Sequence, residues 1–338
     1  MSISRIDKLT LATGENSLRC GVLDKANGFV YFLCHTIPGK VVKVRLSDFT
    51  AVATLTFATG EDYPRAAVID SVNGFMYVAC YVSPGKVVKI RLSDFTAVGT
   101  LTLAANYANP WSLIVDPSAG YLYAFCYDSD CPVVRITLDD FTFKDVLDFP
   151  GLMVAHGETA RPDFAGGLAY SGVFTEIGIA KINLSAFSYV GVVAPASGAY
   201  SVGAVIDLVN GFYFVSTDGA PAKISRVILS SFLSDTYITL ATGENSVYAM
   251  CANPTGGLLY AFCIMIPGKV VRVNISDFTR KDVYAMPTND NNPVTAVIDE
   301  LAQLLYAGTD TSPGTIIKLF DGDIVPPGTQ HLPVVGIG

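Results

Sequence analysis

The segment Pro84-Gly-Lys-Val-Val-Lys-Ile-Arg-Leu-Ser-Asp-Phe95 decides the fold, because it recurs along the chain at a fixed interval. It returns at residues 38–49 and, with substitutions, at residues 267–278. Its closing phenylalanine recurs every 46, 46, 46, 45 and 46 residues, at Phe49, Phe95, Phe141, Phe187, Phe232 and Phe278. A seventh copy, residues 313–319, ends before its phenylalanine. A period of this length, repeated seven times, indicates a repeat architecture.

Each copy contains four short runs of β-branched and aromatic residues separated by turn residues. In copy two these predicted strands cover residues 65–70, 75–80, 86–92 and 97–103. The first turn has the pattern Asp-x-x-x-Gly, in which Asp accepts bonds from downstream amides and Gly tolerates a positive φ. Four antiparallel strands per repeat are typical of a propeller blade. The sequence therefore predicts an all-β, seven-bladed β-propeller as a single domain over residues 1–320.

The two ends of the chain predict how the ring closes. Copy seven lacks a fourth strand, because residues 321–327 include two prolines, which a strand inside a ladder tolerates poorly. Residues 6–11 align instead with residues 52–57, a predicted fourth strand, and both are followed by Ala-Thr-Gly-Glu. We therefore expect the N-terminal strand to complete the last blade at its outer edge, and residues 321–338 to form a C-terminal tail.

The second strands carry a further pattern. Phe75-Met-Tyr-Val-Ala79 and Tyr121-Leu-Tyr-Ala-Phe125 stand between an Asp-x-x-x-Gly turn and a segment related to Pro-Gly-Lys-Val-Val-Lys. In this respect residues 5–320 resemble the YVTN-type seven-bladed propellers of surface-layer and related repeat proteins, which are akin to the NHL propellers. Pairs such as Ala79-Cys80 replace the Thr-Asn of the family motif, so the resemblance implies the fold rather than a function.

Composition excludes several classes of protein. Charged residues make up 15% of the chain and hydrophobic residues 51%, whereas about 25% charged is usual. This balance excludes disorder and coiled coil. With 22 Lys+Arg against 30 Asp+Glu and no basic run, we expect no nucleic-acid partner. No stretch approaches the ~20 apolar residues of a membrane span, and the first ten residues lack an apolar core of signal-peptide length.

The seven cysteines are an odd number, so at least one cannot form an intramolecular disulfide. Cys34, Cys80, Cys126 and Cys263 end second strands, where we expect small buried hydrophobic groups. Cys126 and Cys131 flank a predicted hairpin loop and form the one candidate disulfide, although facing positions near a hairpin end need not meet its geometry.

Two positions are filled alike in nearly every blade. The third strands carry a cation, at Lys43, Lys89, Arg135, Lys181, Arg226, Arg272 and Lys318. The second strands carry an aromatic residue, at Tyr31, Tyr77, Tyr123, Tyr170, Phe214, Tyr260 and Tyr306. A basic ring for an anionic ligand is one interpretation of the cations. We favour a structural role between blades, with each cation paired to the turn Asp or a backbone carbonyl, and each tyrosine packed with its hydroxyl satisfied nearby.

Positions that differ between blades are better candidates for function. The first strands open with Arg19, Arg65, Trp111, Glu158, Val202, Tyr248 and Val294, which we expect to surround the mouth of the central channel. The candidate binding site for a small molecule or glycan consists of Arg19, Arg65, Trp111, Glu158 and Tyr248. The alternative is that these residues only line a wet channel.

Metal binding and catalysis have less support. The loops between blades contain the carboxylates Glu15, Glu61, Glu244 and Asp290, which could supply oxygen ligands to Ca²⁺. They lie one blade apart, so we favour loop capping and predict no metal and no cofactor.

The three histidines are His35, His156 and His331, and no nucleophile elbow, phosphate loop or metal-spaced set is present. His156 with Glu158 is the only local pair that resembles the site of a propeller lyase or hydrolase. We therefore expect no enzyme and assign no catalytic residue.

The low charge content predicts exposed apolar area, which usually marks interfaces. In the tail, Leu332, Val334, Val335 and Ile337 could dock on a neighbouring copy, and a frayed terminus is the alternative. Our leading hypothesis is a non-enzymatic structural or protein-interaction propeller with a protein partner or further copies of itself. We place it in an extracellular, cell-surface or virus-particle assembly. The alternatives are a small-molecule or glycan-binding module and, less favoured, a lyase or hydrolase.

Overall fold

The computed structural model describes residues 3–128, 132–149, 159–173, 178–199 and 201–325. Within these ranges the chain forms 28 strands and no helix. The strands make seven four-stranded antiparallel sheets, and the sheets form a ring. The predicted seven-bladed β-propeller is confirmed.

Blades 1 to 4 each use four consecutive strands, numbered from the channel outwards. Blade 1 contains β2 (Leu18–Asp24), β3 (Phe29–Cys34), β4 (Lys40–Arg45) and β5 (Thr50–Thr56). Blade 2 contains β6 (Pro64–Asp70), β7 (Phe75–Cys80), β8 (Lys86–Arg91) and β9 (Thr96–Thr102). Blade 3 contains β10 (Pro110–Asp116), β11 (Tyr121–Cys126), β12 (Val133–Thr137) and β13 (Phe143–Leu147). Blade 4 contains β14 (Arg161–Asp163), β15 (Leu168–Val173), β16 (Gly178–Asn183) and β17 (Ser188–Val193).

Blades 5 to 7 complete the ring. Blade 5 contains β18 (Gly203–Asp207), β19 (Phe212–Ser216), β20 (Lys223–Ile228) and β21 (Leu233–Thr239). Blade 6 contains β22 (Val247–Asn253), β23 (Leu258–Cys263), β24 (Lys269–Asn274) and β25 (Thr279–Ala285). Blade 7 contains β26 (Pro293–Asp299), β27 (Leu304–Thr309), β28 (Thr315–Phe320) and, on its outer edge, β1 (Ser4–Thr10).

The N-terminal strand closes the ring, as predicted. β1 pairs with β28 in antiparallel register, with Leu9 opposite Ile316 and Lys8 opposite Ile317. Charges reinforce the closure, because Arg5 and Lys8 each lie 2.8 Å from a carboxylate oxygen of Asp290, whose side chain is fully buried. The first and last strands of the repeat region thus share one sheet.

The first hairpin of each blade has the expected chemistry. In blade 2, Asp70 Oδ1 accepts from the Asn73 amide at 3.0 Å, and the Asp70 carbonyl accepts from the Gly74 amide at 2.9 Å. Gly74 has a φ of 74°, a left-handed conformation in which a Cβ atom is strained. The Asp-x-x-x-Gly pattern therefore fixes the turn through both of its end residues.

The Pro-Gly pattern serves a contact between blades as well as a turn. The Gly85 amide donates to the Tyr107 carbonyl at 3.0 Å, in the loop that leads to blade 3. A Cβ atom on Gly85 would lie 2.7 Å from the Tyr107 carbonyl oxygen and 2.8 Å from Pro110 Cδ. Only glycine allows the two blades to approach this closely.

The hydrophobic core lies between the blades rather than within a single layer. The described residues form seven buried clusters, each drawn from adjacent blades. The repeated phenylalanine belongs to this packing: Phe95 of blade 2 lies 5.5 Å from Tyr31 of blade 1, ring centre to ring centre. Phe95 has a φ of 54°, a conformation that costs a non-glycine residue ~1–2 kcal/mol. Burial of its ring against the neighbouring blade offsets that cost.

The third-strand cations lie between blades, as expected. The lysines lie against aromatic rings, whereas Arg135, Arg226 and Arg272 pair with a carboxylate of the fourth strand. Lys43 Nζ lies 4.0 Å from the centre of the Phe29 ring and 5.5 Å from that of Phe95 in the next blade. Lys89 has the expected carbonyl partner, since its Nζ donates to Leu138 at 3.2 Å. These ring contacts were not predicted because the rings belong to different segments of the chain. The prediction that each tyrosine hydroxyl has a nearby partner is wrong for Tyr31, whose buried hydroxyl has no hydrogen-bond partner within the described ranges.

The contact between blades 6 and 7 uses a different set of residues. Asp321 stands at the repeat position that holds Leu92 in blade 2, and Ile324 stands at the position of Phe95. The fully buried Asp321 accepts from Arg272 Nη1 at 2.9 and 3.0 Å and from the Tyr260 hydroxyl at 2.9 Å.

The segment that follows continues the same contact. Ile324 is buried in the cluster between blades 6 and 7. The Asn253 side chain bonds the amide and the carbonyl of Val325, at 3.0 and 2.8 Å. Residues 321–325, the beginning of the predicted tail, are therefore part of the ring. The rest of the tail, with Leu332, Val334, Val335 and Ile337, lies outside the described residues.

Candidate binding site at the channel mouth

Backbone contacts between blades place the opening residues of the first strands. The Tyr63 amide donates to the Thr36 carbonyl of the preceding blade at 3.0 Å, and the Tyr63 carbonyl accepts from the Tyr81 amide at 3.0 Å. Tyr63 has a φ of 53°, which turns the chain into β6. The next residues are Pro64, which opens β6, and Arg65. The same arrangement recurs at Asn109 before β10.

A cavity at the channel mouth brings several predicted residues together. Arg19, Arg65 and Tyr248 line it, together with the opening residues Val202 and Val294. Its space open to a water-sized molecule is about 40 Å³, enough for roughly three waters when one needs ~10–15 Å³. The cavity itself therefore fits a small polar group rather than a whole sugar.

Trp111 packs against Arg65 at the channel mouth. The Arg65 guanidinium lies over the Trp111 ring, 4.0 Å from its centre. Tyr81 and Tyr127 flank Trp111 at 5.0 and 5.4 Å between ring centres. Only 8% of Trp111 is exposed, so its ring positions Arg65 and offers little surface to a ligand.

Two acidic residues contact the residues that line the cavity. Arg19 forms an ion pair of 2.8 Å with Asp310, and the Tyr248 hydroxyl donates to Asp218 at 2.9 Å. Burial, followed by this hydrogen bond, raises the pKa of Tyr248 to about 12, while Arg65 and Arg19 act in the opposite direction. Tyr248 is therefore a neutral hydrogen-bonding group at physiological pH.

Sequence reasoning missed one residue of this cavity. Arg161 lines it from β14, the short first strand of blade 4. Arg161 pairs with Tyr170 in the same way as Val68 pairs with Tyr77 in blade 2. Arg161 therefore occupies the position that Val68 holds in blade 2. Alignment on the second-strand aromatic residue would have shown a cation where every other blade has Val, Ile or Cys.

The predicted Glu158 and the suggested catalytic partner His156 lie outside the described residues, as does His331. His35 lies in the loop after β3, with its ring 4.8 Å from that of Tyr63. Burial, then the charges of Arg65 and Arg19, lowers the pKa of His35 from 6.5 to about 4. At neutral pH this histidine is an uncharged packing residue.

Glu15, Glu61 and Glu244 cap their loops, whereas the side chain of Asp290 forms ion pairs instead. Glu15 accepts from the Ala12 amide at 3.0 Å and from Thr54 Oγ1 at 2.6 Å, and Glu61 repeats the pattern in the next loop. Glu244 pairs with Arg280, and Asp290 pairs with the N-terminal strand. Across the described ranges no three His, Cys, Asp or Glu side chains are grouped to hold a metal ion.

The cysteines of the repeat position are buried, as expected. Burial raises the pKa of Cys34 and of Cys263 to about 12, so both are protonated and unreactive near neutral pH. Cys126 is a fully buried thiol. The candidate disulfide with Cys131, which lies outside the described residues, is therefore not formed in the structure, because Cys126 is a free thiol.

Comparisons with known proteins found no match for this chain. No protein-family model matches the chain, and no curated protein matches it. The fold and the site define a seven-bladed β-propeller with arginines at its channel mouth. The resemblance to YVTN and NHL propellers stays a prediction. The described part of the chain has no helix long and apolar enough to cross a membrane.

Proposed function

We propose that this protein is a non-enzymatic interaction propeller that assembles with copies of itself in an extracellular, cell-surface or virus-particle structure. In this proposal, the C-terminal tail of one copy binds along the outer strand of blade 1 or 2 in a neighbour. The observation that carries it is the chemistry of those two outer strands.

The outer strands β5 and β9 read Thr-Ala-Val-Ala-Thr-Leu-Thr and Thr-Ala-Val-Gly-Thr-Leu-Thr. They contain no charged residue, most of their residues are exposed, and each has one unpaired edge. Natural proteins usually protect such edges with charges or proline, because an open strand edge binds other strands. By contrast, β1 and β25 each contain three charged residues.

The tail has the composition that such an edge accepts. Residues 326–338 contain no Asp, Glu, Lys or Arg and place Leu332, Val334, Val335 and Ile337 near the end. These 13 residues can extend roughly 40 Å at ~3.3 Å each, whereas a seven-residue strand spans roughly 23 Å. The tail is therefore long enough to leave its own ring and pair with a full strand of another copy by strand addition.

Sedimentation velocity at micromolar concentration tests the proposal. We expect the full chain to sediment as an oligomer, and the chain without residues 326–338 to sediment as a monomer. Val52→Lys combined with Val98→Lys should have the same effect, because a cation in each uncharged edge opposes strand addition. Val283→Lys is the matched control: Val283 is equally exposed, at 40% against 38% and 43%, but lies on an edge that is already charged.

A monomeric full chain, or an oligomer that survives both the tail deletion and the double substitution, contradicts the proposal. A tail bound to its own ring would give the first of these results.

A further inference from the structure

The face of the ring opposite the channel mouth, here called the lower face, is built at its centre from the turns between first and second strands. Each first strand begins at the mouth, so the turn that follows it lies on the other side. Neighbouring turns touch: Lys25 Nζ lies 2.6 Å from a carboxylate oxygen of Asp299, and Asn253 Nδ2 donates to Glu300 at 3.1 Å. Contacts between adjacent first strands place the turns around the channel axis in blade order.

The middle residues of these turns expose large apolar side chains. Val72 is 79% exposed, Val209 75% and Leu301 59%, and Phe164 and Leu208 are exposed as well. The turn itself does not need them, because the bonds that hold it in blade 2 join Asp70 to Asn73 and Gly74. Apolar side chains gathered on one face usually mark an interaction surface.

Charge on the turns of the lower face is sparse and balanced. Between their first and fifth residues, the seven turns contain one cation, Lys25, and one anion, Glu300. These two residues belong to neighbouring blades, 1 and 7. A nucleic acid or an anionic lipid surface requires clustered cations, so the lower face suits another protein surface better.

A second copy of this chain fits the lower face in one particular orientation. Two identical chains usually meet through a two-fold axis, so each contact occurs twice. When two seven-bladed rings meet face to face, this axis passes through one blade and between the two blades opposite. An axis through blade 4 places blade 1 on blade 7, blade 2 on blade 6, blade 3 on blade 5 and blade 4 on itself. Of the seven orientations of this kind, only this one places Lys25 opposite Glu300 of the other copy.

The sizes of the turn residues favour the same orientation. At the third position of the turns, each large apolar side chain meets a smaller one: Val72 meets Thr255, Val209 meets Ser118 and Leu301 meets Ala26. An axis through blade 1 would instead place Lys25 on Lys25 and Val72 on Leu301. Charge and side-chain size are separate properties, and both select the axis through blade 4.

We propose that two copies of this chain pair through their lower faces around a two-fold axis that passes through blade 4. The apolar turn residues pack against the other copy, and Lys25 of each copy lies opposite Glu300 of the other. An ammonium group has three N–H donors, so Lys25 keeps its bond to Asp299 in the pair.

This contact is separate from the tail contact proposed above, which uses the outer strands. Five exposed apolar side chains make a small interface, and small interfaces are weak, so we expect a Kd on the order of 0.1 mM. The chain without residues 326–338 therefore stays monomeric at micromolar concentration. In an assembly held by the tails, the effective concentration of neighbouring copies can reach about 1 mM, which is enough to form the face contact.

Cysteine cross-linking of the full chain at about 0.1 mM tests the orientation. All variants also carry Cys131→Ser, because the other six cysteines are buried. Ala165→Cys lies in blade 4, which faces itself, so oxidation should link this variant to a second copy of the same variant. Val72→Cys and Thr255→Cys should each stay unlinked alone and should cross-link when mixed. Electrophoresis without reducing agent measures the linked dimer.

A charged variant tests the apolar contact. Val72→Lys combined with Val209→Lys should lower the cross-linking of Ala165→Cys at least about tenfold, because a lysine placed in an apolar contact must lose water without gaining a partner. Ile37→Lys combined with Ile266→Lys is the matched control. Ile37 and Ile266 are similarly exposed, at 65% and 73%, but lie after second strands, on the mouth side of the ring. Circular dichroism checks that each variant folds.

The proposal is overturned if Ala165→Cys does not cross-link, or if Val72→Cys and Thr255→Cys cross-link as readily alone as when mixed. Equal cross-linking in the lysine variant and its control also overturns it. Val325 is bonded to Asn253 in the turn of blade 6, so the chain's own tail starts at the lower face. Cross-linking that occurs only after deletion of residues 326–338 would assign this face to the tail and overturn the proposal. Cross-linking as expected, with a micromolar oligomer that survives the tail deletion, would support the face contact and contradict the tail contact alone.

Discussion

Replacement of Asp321 by alanine tests the contact between blades 6 and 7. The Asp321 side chain is fully buried, only 4% of Arg272 is exposed, and their closest atoms are 2.9 Å apart. Removal of one partner of a buried ion pair costs ~3–5 kcal/mol, because the other charge stays in the interior. Arg272 keeps its pairs with Asp282 and Asp323, so we expect the lower end, about 3 kcal/mol. At about 2 °C per kcal/mol for a large domain, the melting temperature should fall by roughly 6 °C.

The matched control is Asp94→Ala in blade 2. Asp94 also forms an ion pair with an arginine, Arg91, but their side chains are 44% and 49% exposed. Exposed pairs of this kind contribute little to stability because solvent screens them, so this variant should unfold within roughly 2 °C of the original.

A triple variant provides the rescue. Arg272→Lys, Asp321→Leu and Ile324→Phe together restore the residues that blade 2 and its neighbour use at this contact. We expect the triple variant to recover most of the stability that Asp321→Ala loses. Differential scanning calorimetry measures all of these proteins. Equal losses for Asp321→Ala and Asp94→Ala would refute the reasoning, because burial would then have no effect on the pair.

Two further predictions concern ring closure and pH. Deletion of residues 1–12 removes β1 and leaves the buried Asp290 without Arg5 and Lys8; by the same reasoning we expect a loss of at least ~3–5 kcal/mol and a melting temperature lower by roughly 6–10 °C. An unchanged melting temperature would show that the strand does not close the ring. Folding lowers the pKa of His35 from 6.5 to about 4. Between these two pH values the unfolded chain therefore binds more protons than the folded one, and the free energy of unfolding should fall as the pH drops through that window. Urea unfolding of the original chain and of a His35→Gln variant at pH 7 and pH 4.5 checks this. The variant should lose less stability between the two pH values than the original chain does. An equal loss in both proteins would exclude His35 as a cause.

The repeat could be predicted from the sequence because every blade needs the same turns and the same close contacts with its neighbour. Asp70 and Gly74 bracket a turn that needs an acceptor at one end and a positive φ at the other. Gly85 marks a close approach of two blades. Such requirements act through residues near in the chain, so they recur at a constant spacing. The pairing of β1 with β28 followed from the same alignment, because one copy lacks the strand that the N-terminus has in excess.

The site was harder to read because its residues meet only in the folded ring. Arg19, Arg65 and Tyr248 line one cavity in the structure, but the order of the repeats could not show that Trp111 is buried beneath Arg65. Arg161 was missed because blade 4 departs from the repeat just before it, so its register depends on its pairing with Tyr170. The ion pairs of Asp321 were missed for a related reason: the residue lies beyond the last strand, and its partner is 49 residues earlier in the chain.

The charges of β1 also affect what this strand can pair with while the chain is being synthesised. Its partner β28 begins at Thr315, so a nascent chain exposes β1 on the ribosome until almost the whole propeller has been made. An unpaired strand that waits this long can pair with a strand of another nascent chain, and charged residues oppose such pairing. Arg5, Asp7 and Lys8 supply these charges in β1. The one outer strand that is translated before its partner is thus protected during translation.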